Sequence, residues 1–270
     1  MTRHPACELY TKLLKSCLIT SRGLKRVTSR RVDMATLLGE TRQRFGDELV
    51  CGLTAESLGW LLDANARDAD TLAPPTHLDV LQSCIEAVVD EAVPGDFVEA
   101  GCFRGGQCVL MSGVLKALDD SGRTVFAADS FGGLPEPDPR QSPDDAVWYH
   151  LLGSIGRFGA TLGEFEDTLN RYGLLHGGVR PVAGWFRASL PDAAIESLAV
   201  IRLDCTFYQS TFDTLEILYP KLSKGGFVIS ADYGAPTGAR RAVDKYRVDQ
   251  GIDDPLIRID GQGVLWRRAD

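Results

Sequence analysis

Asp96-Phe97-Val98-Glu99-Ala100-Gly101-Cys102-Phe103-Arg104-Gly105-Gly106 is the stretch on which the fold of this chain turns. Phe97 and Val98 give a short strand an apolar body, and Gly101 allows a turn that a Cβ would obstruct. Gly105 and Gly106 then open a helix expected over Gln107–Leu118, where free N–H groups favour an anionic ligand. In a doubly wound α/β fold, the first strand–turn–helix is where a nucleoside cofactor lies.

Downstream of this stretch the pattern repeats. Strands are expected at Thr124–Ala128, Val179–Val182, Leu198–Leu203 and Phe227–Ser230. Helices are expected across Trp148–Tyr172, Gln209–Leu222 and Ala239–Asp249. Leu198–Leu203 is apolar apart from Arg202, as befits a central strand buried on both faces. Leu256–Ile259 and Val264–Arg267 read as a terminal hairpin about Asp260-Gly261-Gln262-Gly263. Strand–helix alternation closed by such a hairpin predicts a mostly parallel, seven-stranded, Rossmann-like sheet over residues 94–270. Glu136–Asp145, rich in proline and aspartate, reads as a mobile loop.

Upstream, residues 1–93 read as a helical lid or oligomerisation segment. Helices are expected to about residue 50 with a break at Ser21–Gly23, then at Glu56–Asn65 and Leu78–Ala92. Leu9, Leu13, Leu14 and Leu18 fall near helical spacing. Residues 1–31 carry eight basic side chains against Glu8 alone, a local +7 in a chain of net charge −8. A basic helix packed on an acidic body, or on a second subunit, accounts for that asymmetry; a transit peptide is the competing reading.

Composition limits the function classes. The 270 residues are 44% hydrophobic and 24% charged, suiting a folded globular protein. The acidic balance gives no general footprint for nucleic acid, and no apolar run approaches the roughly 18–20 residues of a membrane span. Seven cysteines without a CxxC pair point to free thiols in a reducing, cytoplasmic setting.

The choice of cofactor rests on spacing. An acidic residue after the second strand accepts hydrogen bonds from ribose hydroxyls, and a dinucleotide fingerprint puts it about 20 residues past the glycines. Asp129 lies 28 residues past Gly101, the turn lacks G-x-G-x-x-G, and Glu99 is awkward beside a pyrophosphate but suits a sulfonium or amino group. The terminal hairpin points the same way, to S-adenosylmethionine.

Further motifs run in order along the chain: VPGDFVEAGCFRGGQ (93–107), VFAADSFGGLPEPD (125–138), RYGLL, VRPVAGWF, SLPDAAIESLAVIRLD (189–204), YQSTFDTLEILYPKLSKGGFVI (208–229), DYGAP and IRIDGQGVLWRR. Together with LYTKLLKSCL (9–18), they resemble the macrocin-type antibiotic sugar O-methyltransferases. The resemblance implies a class I methyltransferase fold, S-adenosylmethionine, a divalent metal (usually magnesium), oligomers, and methyl transfer to a hydroxyl of a small-molecule natural product in bacterial secondary metabolism.

On this reading Glu99 and Gly101 meet the methionine end of the cofactor, Asp129 and Ser130 the ribose, and Trp185 and Phe186 the adenine, with Arg104 and Gly105 also binding it. Asp204, carried by the end of a central strand, is too costly there as packing alone. It is expected to serve the cofactor, as a metal ligand, or as the base for the acceptor hydroxyl. Asp232 and His150 are the other candidate bases. Around the fourth strand the family pattern is L-D-x-D-x-Y-x-S-T, and after the fifth it is D-D-Y. Here Thr206 and Ala231 replace one acid in each, leaving Asp204 and Asp232 as the only candidate metal ligands. Metal dependence is therefore expected to be weakened or lost. The alternative is a chain repurposed to cyclisation or rearrangement while still binding S-adenosylmethionine.

Overall fold

The computed structural model describes residues 5–19, 33–50, 69–155, 159–175, 178–235 and 237–269. Seven strands form one sheet: β1 (Asp96–Ala100), β2 (Val125–Asp129), β3 (Val179–Ala183), β4 (Leu198–Leu203), β5 (Leu222–Ser230), β6 (Ile257–Arg258) and β7 (Val264–Arg267). Their order is β3-β2-β1-β4-β5-β7-β6; the first five are parallel, and β7 returns antiparallel against β5. The order reverses between β1 and β4, so the crevice beyond the carboxyl ends of these strands is the expected ligand site of an open α/β sheet.

Both faces of the sheet are covered, which is why its central strands are apolar without alternation. Along β1, Phe97 packs with α3 (Pro75–Asp90) and α4 (Gly106–Ala117), while the next residue, Val98, packs on the opposite side among Leu215, Leu218 and Val243. Those three belong to α8 (Tyr208–Leu218) and α9 (Ala239–Asp249). Leu78, Leu81, Ile85 and Val88 of α3 are buried, as their spacing predicts. A smaller apolar cluster joins α2 (Met34–Phe45) to α5 (Pro143–Ile155) through Leu37, Leu38, Trp148, Leu151 and Leu152. A capping box starts α6 (Leu162–Arg171), with Thr161 and Glu164 bonding each other's backbone N–H.

Several expectations are corrected. Of the four leucines of α1 (Pro5–Ile19), Leu14 and Leu18 are buried, in the same cluster as the sheet, whereas Leu9 and Leu13 face outward. The helix expected to Leu222 stops at Leu218, because Pro220 has no N–H to continue it, and β5 starts at Leu222. β5 is longer than expected because Gly225 and Gly226 exchange backbone hydrogen bonds with Arg268. The expected loop Glu136–Asp145 ends in the first turn of α5, where Asp145 is buried. Trp148–Tyr172 divides into α5 and α6. The helix expected at Glu56–Asn65 and the break at Ser21–Gly23 lie outside the described residues. Among the described residues no helix is long and apolar enough to cross a membrane.

Candidate active site

The site is built on the parallel register of β1 and β4. That register sets Glu99 beside Arg202, and two-residue alternation puts Asp204 on the same side as Arg202. Arg202 Nη1 donates to Glu99 Oε1 at 2.7 Å and to Asp204 Oδ2 at 2.9 Å. Arg202 and Glu99 are each 1% exposed, so this cation is what makes burying a carboxylate in the centre of the sheet tolerable. Burial still outweighs the attraction of Arg202 and pushes the Glu99 carboxyl up to about 7. The Cys108 thiol donates to the other Glu99 oxygen at 3.0 Å.

Gly101 follows β1 at φ +87°, and a Cβ there would come within 1.9 Å of the Asp204 carbonyl oxygen. The glycine is thus required by the close approach of the chain leaving β4. Gly105 is also left-handed (φ +86°), but a Cβ there would strike the Phe165 ring. Its place is set by packing, and it does not line the cavity. The expected anion-binding helix terminus is occupied by the chain itself, since Gly106 N–H donates to the Asp70 carbonyl.

At the end of β2, the Asp129 carboxylate accepts the N–H groups of Phe103 (3.0 Å) and Phe131 (2.9 Å). It thereby ties the turn after β1 to the loop after β2, and burial raises its pKa. Ser130 Oγ donates to the Gly133 carbonyl at 2.7 Å. Phe103, Phe131 and Thr206 all have positive φ, and each sits in the loop leaving β1, β2 or β4. Left-handed backbone at a β-branched residue such as Thr206 (φ +62°) is strained, and such strain concentrates at functional loops.

At the ends of β4 and β5, Asp232 accepts the Thr206 N–H at 2.9 Å. Desolvation and the neighbouring Asp204 carboxylate raise its pKa. A magnesium-class ion takes hard oxygen ligands in an octahedron. Here Asp204 is engaged by Arg202, Thr206 brings a neutral side chain, and Ala231 brings no donor. Among the described residues no three His, Cys, Asp or Glu side chains form a ligand cluster. This donor set does not fit a resident metal.

These elements enclose a cavity of about 480 Å³, of the size that takes a nucleoside-bearing ligand. Of the residues expected from the sequence, Glu99, Gly101, Asp129 and Ser130 line it, as do Trp185, Phe186 and Asp204. Acceptors at one wall, two aromatic rings at another and an orphaned buried amide, that of Gln107, suit S-adenosylmethionine. Four expected residues stand elsewhere. Arg104 donates to the Ala69 carbonyl at 3.0 Å, Gly105 packs on Phe165, and Asp232 lies behind Thr206. His150 is on the α2 side of α5, its Nδ1 3.4 Å from Arg44 Nη1 and its ring against Phe45, and burial lowers its pKa.

Three residues escaped the sequence reading. Arg202 looked like an interruption of an apolar strand, although an arginine two positions before an aspartate in a buried strand signals an internal ion pair. Asp145, read as loop, lines the cavity and accepts the N–H groups of Gly238 (2.7 Å) and Tyr208 (2.8 Å), joining α5 to the starts of α9 and α8. Gln107 was read only as the start of a helix.

The model of the macrocin-O-methyltransferase (TylF) family matches residues 8–268. A mycinamicin III 3''-O-methyltransferase of Micromonospora griseorubida is 42% identical over 202 residues, covering 74% of this chain and 79% of that protein. An 8-demethyl-8-(2,3-dimethoxy-alpha-L-rhamnosyl)-tetracenomycin-C 4'-O-methyltransferase of Streptomyces olivaceus is 46% identical over 201 residues, covering 74% and 76%. Among solved structures, that of the O-methyltransferase NovP superposes with a TM-score of 0.77 at 34% identity, covering 98% of this chain and 100% of that one.

Proposed function

The chain belongs to the macrocin-O-methyltransferase (TylF) family and is an S-adenosylmethionine-dependent methyltransferase, and from that premise we propose that it methylates a sugar hydroxyl of a small-molecule natural product without a resident metal. The observation that carries the metal-free part is the pair of replacements, Thr206 in the cavity wall and Ala231 buried beside Asp232, where the family pattern has acids. The relatives named above are O-methyltransferases of antibiotic molecules, which supports the acceptor class and a place in bacterial secondary metabolism. The outward-facing Leu9 and Leu13 of α1 support a homo-oligomer, and the free cysteines a reducing cytoplasm.

When bound, S-adenosylmethionine supplies an electrophilic methyl group on a sulfonium sulfur. Glu99 and Gly101 would border its methionine end, Asp129 and Ser130 would accept from its ribose, and Trp185 and Phe186 would flank its adenine. Asp204, which both lines the cavity and is paired with Arg202, accepts the acceptor's hydroxyl proton as the new C–O bond forms. The hydrogen bond from Arg202 Nη1 holds that carboxylate in place. General-base help of this kind is worth about 10²–10⁴ in rate, and holding the hydroxyl in line with the methyl supplies much of the remainder.

The test is incubation with S-adenosylmethionine, EDTA and a panel of glycosylated natural products bearing free hydroxyls, followed by mass spectrometry. The reading expects a gain of one CH2 unit with release of S-adenosylhomocysteine, and loss of turnover in Asp204→Asn. Conversion of an acceptor with no mass gain and the cofactor intact would instead favour the repurposed reading, which the replacement of acids by Thr206 and Ala231 motivates.

A further inference from the structure

Gln107, the second residue of α4, is 3% exposed and lines the cavity, yet among the described residues neither its Oε1 nor its Nε2 has a hydrogen-bond partner. The polar side chains near it are engaged. Glu99 is held by Arg202 and Cys108, Asp70 by Arg171 and the Tyr172 hydroxyl, and Thr71 Oγ1 accepts the Ala73 N–H. The helix around it is otherwise apolar, with Cys108, Val109, Leu110 and Met111 all buried. A leucine would fill the same volume without stranding two polar atoms, and buried polar groups without partners are rare in folded chains. An amide in this position therefore points to a partner that arrives with the ligand.

We propose that the Gln107 amide reads the amino-acid end of the cofactor, Nε2 donating to its carboxylate and Oε1 accepting from its ammonium. This rests on the cofactor reading above and adds to it a residue that sets selectivity for the amino-acid tail. A primary amide offers a donor and an acceptor side by side, and the α-amino-carboxylate group offers their complements. Being neutral, it favours the zwitterion over a simple anion such as phosphate. Position selects this end of the ligand: Gln107 follows the turn after β1, beside Glu99 and Gly101, whereas Asp129, Trp185 and Phe186 follow β2 and β3.

The experiment is calorimetric titration of S-adenosylhomocysteine and of 5′-methylthioadenosine, which keeps the nucleoside and thioether but lacks the amino-acid tail. It is run on the wild type, Gln107→Leu and Gln107→Glu, with thermal unfolding of each unliganded protein. Gln107→Leu is expected to bind S-adenosylhomocysteine about 10- to 100-fold more weakly, with 5′-methylthioadenosine unchanged and an unliganded melting temperature at or above that of the wild type. Gln107→Glu is expected to weaken S-adenosylhomocysteine while favouring its decarboxylated analogue, and it carries the test if the leucine variant does not fold. Equal losses for both ligands would move Gln107 to the nucleoside end and overturn the proposal, as would no loss for either. Failure of the wild type to bind S-adenosylhomocysteine would instead sink the cofactor reading on which it rests.

Discussion

The cavity has two rims that the same physics built and that differ in what survives. At the ends of β1 and β2, both acids expected beside the cofactor, Glu99 and Asp129, line the cavity, and each also holds the fold. Glu99 bonds Arg202, and Asp129 bonds two backbone N–H groups. At the ends of β4 and β5, one acid of each pair is gone. Those that remain, Asp204 and Asp232, are the ones with structural partners, Arg202 and the Thr206 N–H. An acid that holds structure as well as facing a ligand is costly to lose, and all four acids that remain hold structure.

The contrast is broken most forcefully at the residue joining the rims. Arg202→Met leaves Glu99 buried without its cation and is expected to destabilise the protein by about 3–5 kcal/mol, the usual result of removing one partner of a buried ion pair. Urea unfolding measures this, and a loss below about 1 kcal/mol would mean that Arg202 does not bind the rims together.

The second rim offers a gain instead of a loss. Thr206→Asp combined with Ala231→Asp rebuilds its acids. With magnesium near ten times its dissociation constant, the double variant is expected to melt about 3 °C higher, while the wild type does not respond. A wild-type protein stabilised as much as the variant would remove the difference between the rims.

The smallest effect is on pH dependence. Because the Glu99 carboxyl is pushed up to about 7, the folded protein holds a proton there that the unfolded chain releases at lower pH. The stability from this group is complete below the unfolded pKa of roughly 4.3 and is lost as pH rises through about 7. Glu99→Gln is expected to flatten that fall between about pH 4 and 7 in urea unfolding at several pH values. An unchanged slope would place the titration elsewhere.

The sheet was legible because a central parallel strand announces itself. Leu198–Leu203 is buried at every position, and β2 was placed within one residue at each end. Turn residues were legible where local geometry demands them, as with Gly101. What was not legible depends on long-range register. Arg202 gains its meaning only when β1 is laid beside β4, and Asp145 only when α5 is docked on the starts of α8 and α9. His150, one residue from Tyr149 in an aromatic run, looks equally suited to face a ligand or a neighbouring helix, and only the docking of α2 turns it away from the cavity. Leu9 and Leu13 share an apolar spacing with Leu14 and Leu18, but α1 presents only part of that stripe to the body. Gly105 shows that a glycine-rich turn can answer to a packed ring, Phe165, instead of a phosphate.

The most direct test is calorimetric titration of S-adenosylhomocysteine into the protein in EDTA and again in excess magnesium. If the first rim is a complete cofactor site and the second has given up its metal, both titrations give the same saturable one-site binding. Binding that appears only with magnesium, or tightens by more than about tenfold, would contradict the account, because Asp204 and Asp232 would then hold an ion despite Thr206 and Ala231.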